Sequence, residues 1–128
     1  FCFFAGSLRL SQKITVAKEQ GRRILLDLGK PNAVISKVFI NDKLAGVLPW
    51  APYRVDITDM AVEGENTLSV QLFPGNRNLL GPHHHISGES YHVGPSTFTD
   101  KPGWAERGIT GSVWRDRYCF VRFGMGEV

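Results

Sequence analysis

Cysteine is scarce in this 128-residue sequence: Cys2 and Cys119 stand near opposite ends of the chain. They fit neither the paired spacing of a zinc site nor that of a redox motif, which excludes a cysteine-built centre of either kind. Both lie in apolar runs of strand-like character, where a free thiol behaves as a small hydrophobe. A bond between them requires the first and last strands to be neighbours at a suitable Cα spacing, so their pairing and the redox compartment stay open. Long apolar runs are lacking as well. None approaches the roughly 20 residues of a membrane-spanning helix, so no membrane partner is expected. Phe1-Cys2-Phe3-Phe4 is apolar but short and has no basic leader, so no signal peptide is expected. The chain opens without Met at what reads as a strand, so excision from a longer polypeptide is expected.

Helix signals are weak, and no internal repeat is visible. The best helix candidate is the capped turn at Thr58-Asp59-Met60-Ala61-Val62, which Gly64 stops after about one turn. No G-x-S-x-G nucleophile motif occurs. Gly124 and Gly126 precede no helix, so no phosphate-cradling loop is present. Fifteen basic residues against twelve acidic ones give a net charge of +3. The two signs are interspersed, with Arg22-Arg23 and the 115–122 stretch set beside Asp27 and Asp116. A solvated mixed surface follows, and no nucleic-acid partner is expected.

What the chain has is strand and turn. Hydrophobic residues make up 42% and charged residues 21%, enough for one soluble domain over residues 1–128 with its own core. Residues 24–28 end at Gly29. Residues 34–40 are rich in β-branched and aromatic side chains and end at Asn41-Asp42, a pair suited to the positive φ of a tight hairpin. Residues 44–48 form the returning strand. In Leu68-Ser69-Val70-Gln71-Leu72 the leucines and Val70 face inward, while Ser69 and Gln71 face outward. Residues 118–123 form a last strand, with Trp114 in the core before it. Fourteen Gly and seven Pro punctuate many short strands. The expected class is all-β, an antiparallel β-sandwich.

Three turns occur in an order that resembles a known fold. Val38-Phe39-Ile40-Asn41-Asp42 with Gly46 is followed by Pro52-Tyr53-Arg54-Val55-Asp56-Ile57-Thr58, and then by Gly64-Glu65-Asn66-Thr67-Leu68. Over residues 24–73 this resembles the galactose-binding-like jelly roll, and in particular the sugar-binding β-sandwich of glycoside hydrolase family 2 and rhamnosidase-like enzymes. Asp42 stands where that family usually has Gly. Each part also has a scaffold reading. Gly46 permits a bulge or a close approach. Asp56 and Thr58 satisfy nearby backbone donors. The resemblance implies a domain that accompanies a catalytic domain, binding sugar or bracing its neighbour.

Residues 74–111 lack alternation and carry Pro, Gly, His and aromatic residues, as functional loops do. Sugar recognition uses planar polar groups that fork onto hydroxyls, with an aromatic face for the ring. Arg77, Asn78, His84, Glu89 and Trp104 supply those types, and Trp50 offers another aromatic face. An Arg77–Glu89 pair and a Trp104 packed on the sandwich are the structural alternatives. Within Gly81-Pro82-His83-His84-His85, His83 and His85 share one face of an extended chain, and His92 follows. These three are weak metal candidates, and neither a metal nor any other cofactor is expected. Glycoside hydrolysis needs two carboxylates about 5–9.5 Å apart across a cleft. Glu89, Asp100 and Glu106 leave that possible, whereas Asp56, Glu63 and Glu65 have turn or surface roles. The leading expectation is a non-catalytic accessory domain of a bacterial-type glycoside hydrolase, with carbohydrate and the parent's catalytic domain as partners. The alternatives are a purely structural or protein-interaction module and a small metal- or carboxylate-dependent hydrolase.

Overall fold

The alternation of apolar and polar residues becomes two antiparallel sheets. The computed structural model describes residues 2–81, 83–84 and 117–126. Its elements are β1 (Leu8–Val16), β2 (Leu25–Asp27), β3 (Ile35–Ile40), β4 (Lys43–Leu48), β5 (Arg54–Asp56), β6 (Gly64–Phe73) and a single helical turn, α1 (Arg77–Leu80). The chain divides into two compact units. One comprises Gly6–Pro74 with Phe123–Val128, and the other Phe1–Ala5 with Gly75–Arg122. All six strands belong to the first.

In the strand unit the order β1-β6-β3-β4 forms one sheet and β2-β5 the other. The register pairs Val38 with Val70 and Ile40 with Leu68, so these side chains share the inner face. With Val16 and Leu72 they are buried, and Ile57 and Leu28 join them. Leu26 and Val55, paired across β2 and β5, pack on this cluster. Burying each such aliphatic side chain contributes roughly 1.5–3 kcal/mol, which is what holds the two sheets together. The expected antiparallel β-sandwich is therefore the fold.

The turns follow from their side chains. Asn41 and Asp42 adopt φ of 50° and 63°, and with Ile40 paired to Lys43 they make a two-residue hairpin. Asp42 thus takes the left-handed conformation that the family's Gly takes freely. The β3–β4 register shifts so that Val38 faces Gly46 and Phe39 faces Leu44, which leaves Ala45 as the bulge. Asp56 Oδ1 accepts from the Thr58 amide at 3.0 Å, and Thr58 Oγ1 accepts from the Ile24 amide at 2.8 Å. The expected turn at residues 58–62 is closed by the Ala61 amide donating to the Ile57 carbonyl at 2.9 Å.

The strand reading needs correction at four places. β1 is a nine-residue strand antiparallel to β6 that the sequence reading did not assign. Ser69 does point away from the core, yet it is buried, because its hydroxyl meets Ser11 Oγ at 2.7 Å across the β1–β6 pair. Residues 118–123 form no strand. Their backbone groups are taken elsewhere: the Val121 amide and carbonyl both bond the Asn78 side chain at 2.8 Å, and the Cys119 amide donates to the His83 carbonyl. Only an isolated bridge from Asn32 to Gly124 follows. The apolar start at residues 2–4 is likewise a turn, with Phe3 at a φ of 54°. Trp114 lies outside the described residues.

Two stability predictions follow. Ser36 is fully buried on the inner face, and its hydroxyl has no hydrogen-bond partner among the described residues. Ser36→Ala is expected to raise the unfolding free energy by about 1 kcal/mol, read as a higher thermal midpoint, because an unsatisfied hydroxyl is removed. The outer face of β2–β5 predicts the acid limb. The Arg54 side chain, then the Gly29 amide, hold Asp27 below the usual carboxylate pKa. The Thr58 hydroxyl, then its amide, with Arg23 nearby, do the same for Asp56. Depressed folded values mean stability that is present above the unfolded pKa of about 3.9 and lost as pH falls through the folded values. Urea midpoints should stay level from neutral pH to about pH 5 and then fall. An Asp27→Asn, Asp56→Asn variant should show a shallower fall, and an unchanged acid limb would contradict the assignment.

Candidate functional site

Most of the polar and aromatic candidates belong to the second unit, and its geometry begins at α1. The Gly81 amide closes that turn on the Arg77 carbonyl at 3.0 Å. Gly81 has a φ of +83°, and a Cβ there would come within 2.9 Å of the His83 amide nitrogen, so glycine is required. The chain then turns through His83 and His84. Three hydrogen bonds hold residues 78–83 to 119–121: the two between the Asn78 side chain and the Val121 backbone, and the Cys119 amide on the His83 carbonyl at 2.6 Å. The His83 ring places Nε2 3.2 Å from the Asn78 carbonyl oxygen.

These links assemble a cluster of rings. Tyr118 and Phe120, two residues apart, lie parallel with centroids 5.6 Å apart and 7° between planes. Phe3 meets both edge-on at 5.7 and 5.1 Å, and meets His83 at 5.2 Å. His84 lies 4.9 Å from Tyr118. Edge-to-face and offset pairs of this kind contribute about 0.5–1.5 kcal/mol each beyond burial. Among the described residues the cluster is partly open, with Tyr118 55% exposed and Phe3 47%. A part-exposed phenol ring beside an imidazole combines the residue types that sugar recognition uses.

Of the residues singled out from sequence, His84 lies at this cluster. Asn78 is buried, and its amide is engaged with Val121. Arg77 opens α1. Glu89 and Trp104 lie outside the described residues, as do Asp100, Glu106, His85 and His92. His83 is described without the other two metal candidates, and no group of three or more His, Cys, Asp or Glu occurs among the described residues. Cys2 and Cys119 are both free thiols. Tyr118, Phe120 and Phe3 were missed as site residues. Their signal was the aromatic pair spaced by two, which reads equally as a buried strand.

In the strand unit the aromatic faces are used differently. The Arg9 guanidinium lies 4.8 Å from the Phe39 ring centre and also bonds Asp42, and the Lys37 ammonium lies 5.2 Å from the Phe73 ring centre. Trp50, by contrast, is 74% exposed.

Comparison with known proteins places this geometry. No family model matches the chain. A curated protein from Formosa agariphila, described as a "Putative beta-glucuronidase", is 36% identical over 73 residues, which is 55% of this chain and 6% of that protein. The structure of a rhamnosidase from Novosphingobium sp. PP1Y matches 96% of this chain and 10% of its own, with 25% identity and a TM-score of 0.63. A β-glucuronidase from Bifidobacterium dentium matches 94% of this chain and 20% of its own, at 19% identity and a TM-score of 0.52, and shares the fold. The chain thus spans 6% of the curated relative. The resemblance to the β-sandwich of glycoside hydrolase family 2 and rhamnosidase-like enzymes holds in the structure.

Proposed function

We propose that this chain is a non-catalytic accessory module of a glycoside hydrolase, contacting carbohydrate or docking on that enzyme's catalytic domain. One observation carries the reading: 96% of the chain corresponds to one tenth of a rhamnosidase. So small a share of a glycosidase leaves most of its chain for a separate catalytic domain, which supports the accessory reading. This step from fold to role is an analogy, and the ring cluster is the site proposed for it.

In the proposed site, the exposed part of Tyr118 meets the apolar side of a sugar, and His84 reaches a hydroxyl. Arg77, Glu89 and Trp104 complete the contact set. Asn78 belongs to it as the residue whose side chain holds Val121, three residues after Tyr118. Calorimetric titration of the isolated chain with oligosaccharides ending in rhamnose or glucuronic acid tests this. Saturable binding is expected, weakened roughly tenfold, or about 1.4 kcal/mol, by Tyr118→Ala. If no such oligosaccharide binds the unaltered chain, carbohydrate contact is wrong. A second reading, a purely structural module, is favoured by the way Phe3, His83, Tyr118 and Phe120 pack on one another. On that reading Tyr118→Ala lowers the thermal midpoint and there is no sugar binding to lose.

A further inference from the structure

The second unit joins two distant stretches of chain, Phe1–Ala5 and Gly75–Arg122. Phe3 comes from the first, and Tyr118, Phe120, His83 and His84 come from the second. Tyr118 and Phe120 stand in a segment that is no strand, so no sheet ladder sets their side chains. The Asn78 side chain holds the Val121 backbone, and the His83 carbonyl holds the Cys119 amide. These bonds fix the main chain at positions 119 and 121. They leave the Tyr118 and Phe120 side-chain torsions to packing, and the second torsion of an aromatic side chain is broad and soft.

Phe3 supplies that packing. Its ring stands at 81° to Tyr118, 84° to Phe120 and 81° to His83. His83 is only tilted against the same two rings, by 50° and 57°. A near-perpendicular contact is favoured because the positive edge of one ring meets the negative face of the other. Tyr118 and Phe120 are parallel to within 7°, the arrangement that lets one ring meet both at nearly a right angle. A ring engaged with both opposes rotation of either.

The backbone of Phe3 points the same way. Its φ is +54°, in the left-handed region that disfavours a bulky side chain. Such a conformation persists where surrounding contacts hold it. Here the three ring contacts hold it, and the turn carries the ring onto Tyr118 and Phe120.

We propose that Phe3 is the positioning residue of the carbohydrate site: its ring holds Tyr118 in the orientation that sets it 4.9 Å from His84. This rests on the reading of Tyr118 and His84 as sugar contacts. Phe3 acts through Tyr118, so its ring packing serves recognition as well as stability.

Two variants test this, because one keeps the turn and the other keeps the ring. Phe3→Gly removes the ring and accepts the positive φ freely. Phe3→Tyr retains the ring. Each is titrated calorimetrically with the oligosaccharides ending in rhamnose or glucuronic acid, and the nuclear Overhauser contact between the Tyr118 and His84 rings is recorded. Phe3→Gly is expected to bind roughly tenfold more weakly and to lose the Tyr118–His84 contact. Phe3→Tyr should bind within about twofold of the parent chain and keep that contact. The far-UV sheet signal should be unchanged in both, since all six strands belong to the other unit. Undiminished binding by Phe3→Gly, where the parent chain binds, overturns the proposal alone. So does binding lost in Phe3→Gly with the Tyr118–His84 contact intact, or an equal loss in Phe3→Tyr. No binding by the parent chain removes the carbohydrate reading, and the proposal with it.

Discussion

Replacing Asn66 with leucine is expected to lower the unfolding free energy by about 3–5 kcal/mol, measured as a shift of the urea midpoint with the slope unchanged. Asn66 is 1% exposed, and every polar atom of its side chain is used. Its Oδ1 accepts from the Val62 amide at 2.8 Å and from Asn41 Nδ2 at 2.9 Å. Its Nδ2 donates to the carbonyls of Val62 at 2.8 Å and Gly64 at 3.0 Å. Asn41 is itself the hairpin residue, and its Oδ1 accepts from the Thr67 amide at 2.9 Å. One side chain therefore ties the β3–β4 turn to the turn that enters β6. Leucine fills the space but leaves several of these groups without a partner. Asn66→Asp separates hydrogen bonding from shape. The carboxylate keeps the acceptor but sets a second oxygen against two carbonyls in a buried site, which raises its folded-state pKa. A raised value means that the variant is most stable below the unfolded pKa of about 3.9 and loses stability as pH rises through the folded value. If the aspartate variant matches the parent chain at neutral pH, the network has been misjudged.

Gly46→Ala gives the second large effect, about 1–3 kcal/mol of destabilisation. An added Cβ would stand 2.8 Å from Val55 Cγ2 and 3.5 Å from Val55 Cβ. Val55 is β-branched and stiff at χ1, so it cannot easily swing aside. Its strand is the part of the small sheet seated on β4, and the strain spreads the two sheets. Gly46→Val should cost more. A double-mutant cycle with Val55→Ala isolates the contact. Val55→Ala alone is destabilising because it leaves a cavity. Adding Gly46→Ala to it should cost little more, since the new methyl occupies the vacated space. Strict additivity of the two losses would show that Gly46 is constrained by something other than Val55.

The parts of the fold that were legible in sequence are those fixed by local rules. Asn41-Asp42 announced the hairpin because few side chains other than Asn and Asp tolerate positive φ twice in succession. Leu68, Val70 and Leu72 announced β6 by their period. β1 carries the same period on its inner face, through Leu8, Leu10, Ile14 and Val16, but Gln12 interrupts it, and it is a sheet edge with exposed Arg9, Ser11 and Lys13 between. The last strand failed for a non-local reason. Aromatic and β-branched residues at 118–123 have strand character, but the Asn78 amide occupies the backbone groups that a neighbouring strand would use. The same residue shows why the site was only half legible. An amide suited to forking onto a sugar is equally suited to forking onto a peptide unit, and composition does not distinguish the two. Tyr118 and Phe120 were read as part of a last strand because the ring they meet, Phe3, lies more than a hundred residues away in sequence.

The most direct test of the proposed role is to divide the proposed glycoside hydrolase at the edge of this chain and assay the whole and each part on chromogenic aryl glycosides. All turnover is predicted to stay with the remainder, and the 128-residue chain should show none. Turnover by the 128-residue chain alone, lost on replacing one of its own carboxylates by the amide, would contradict the account.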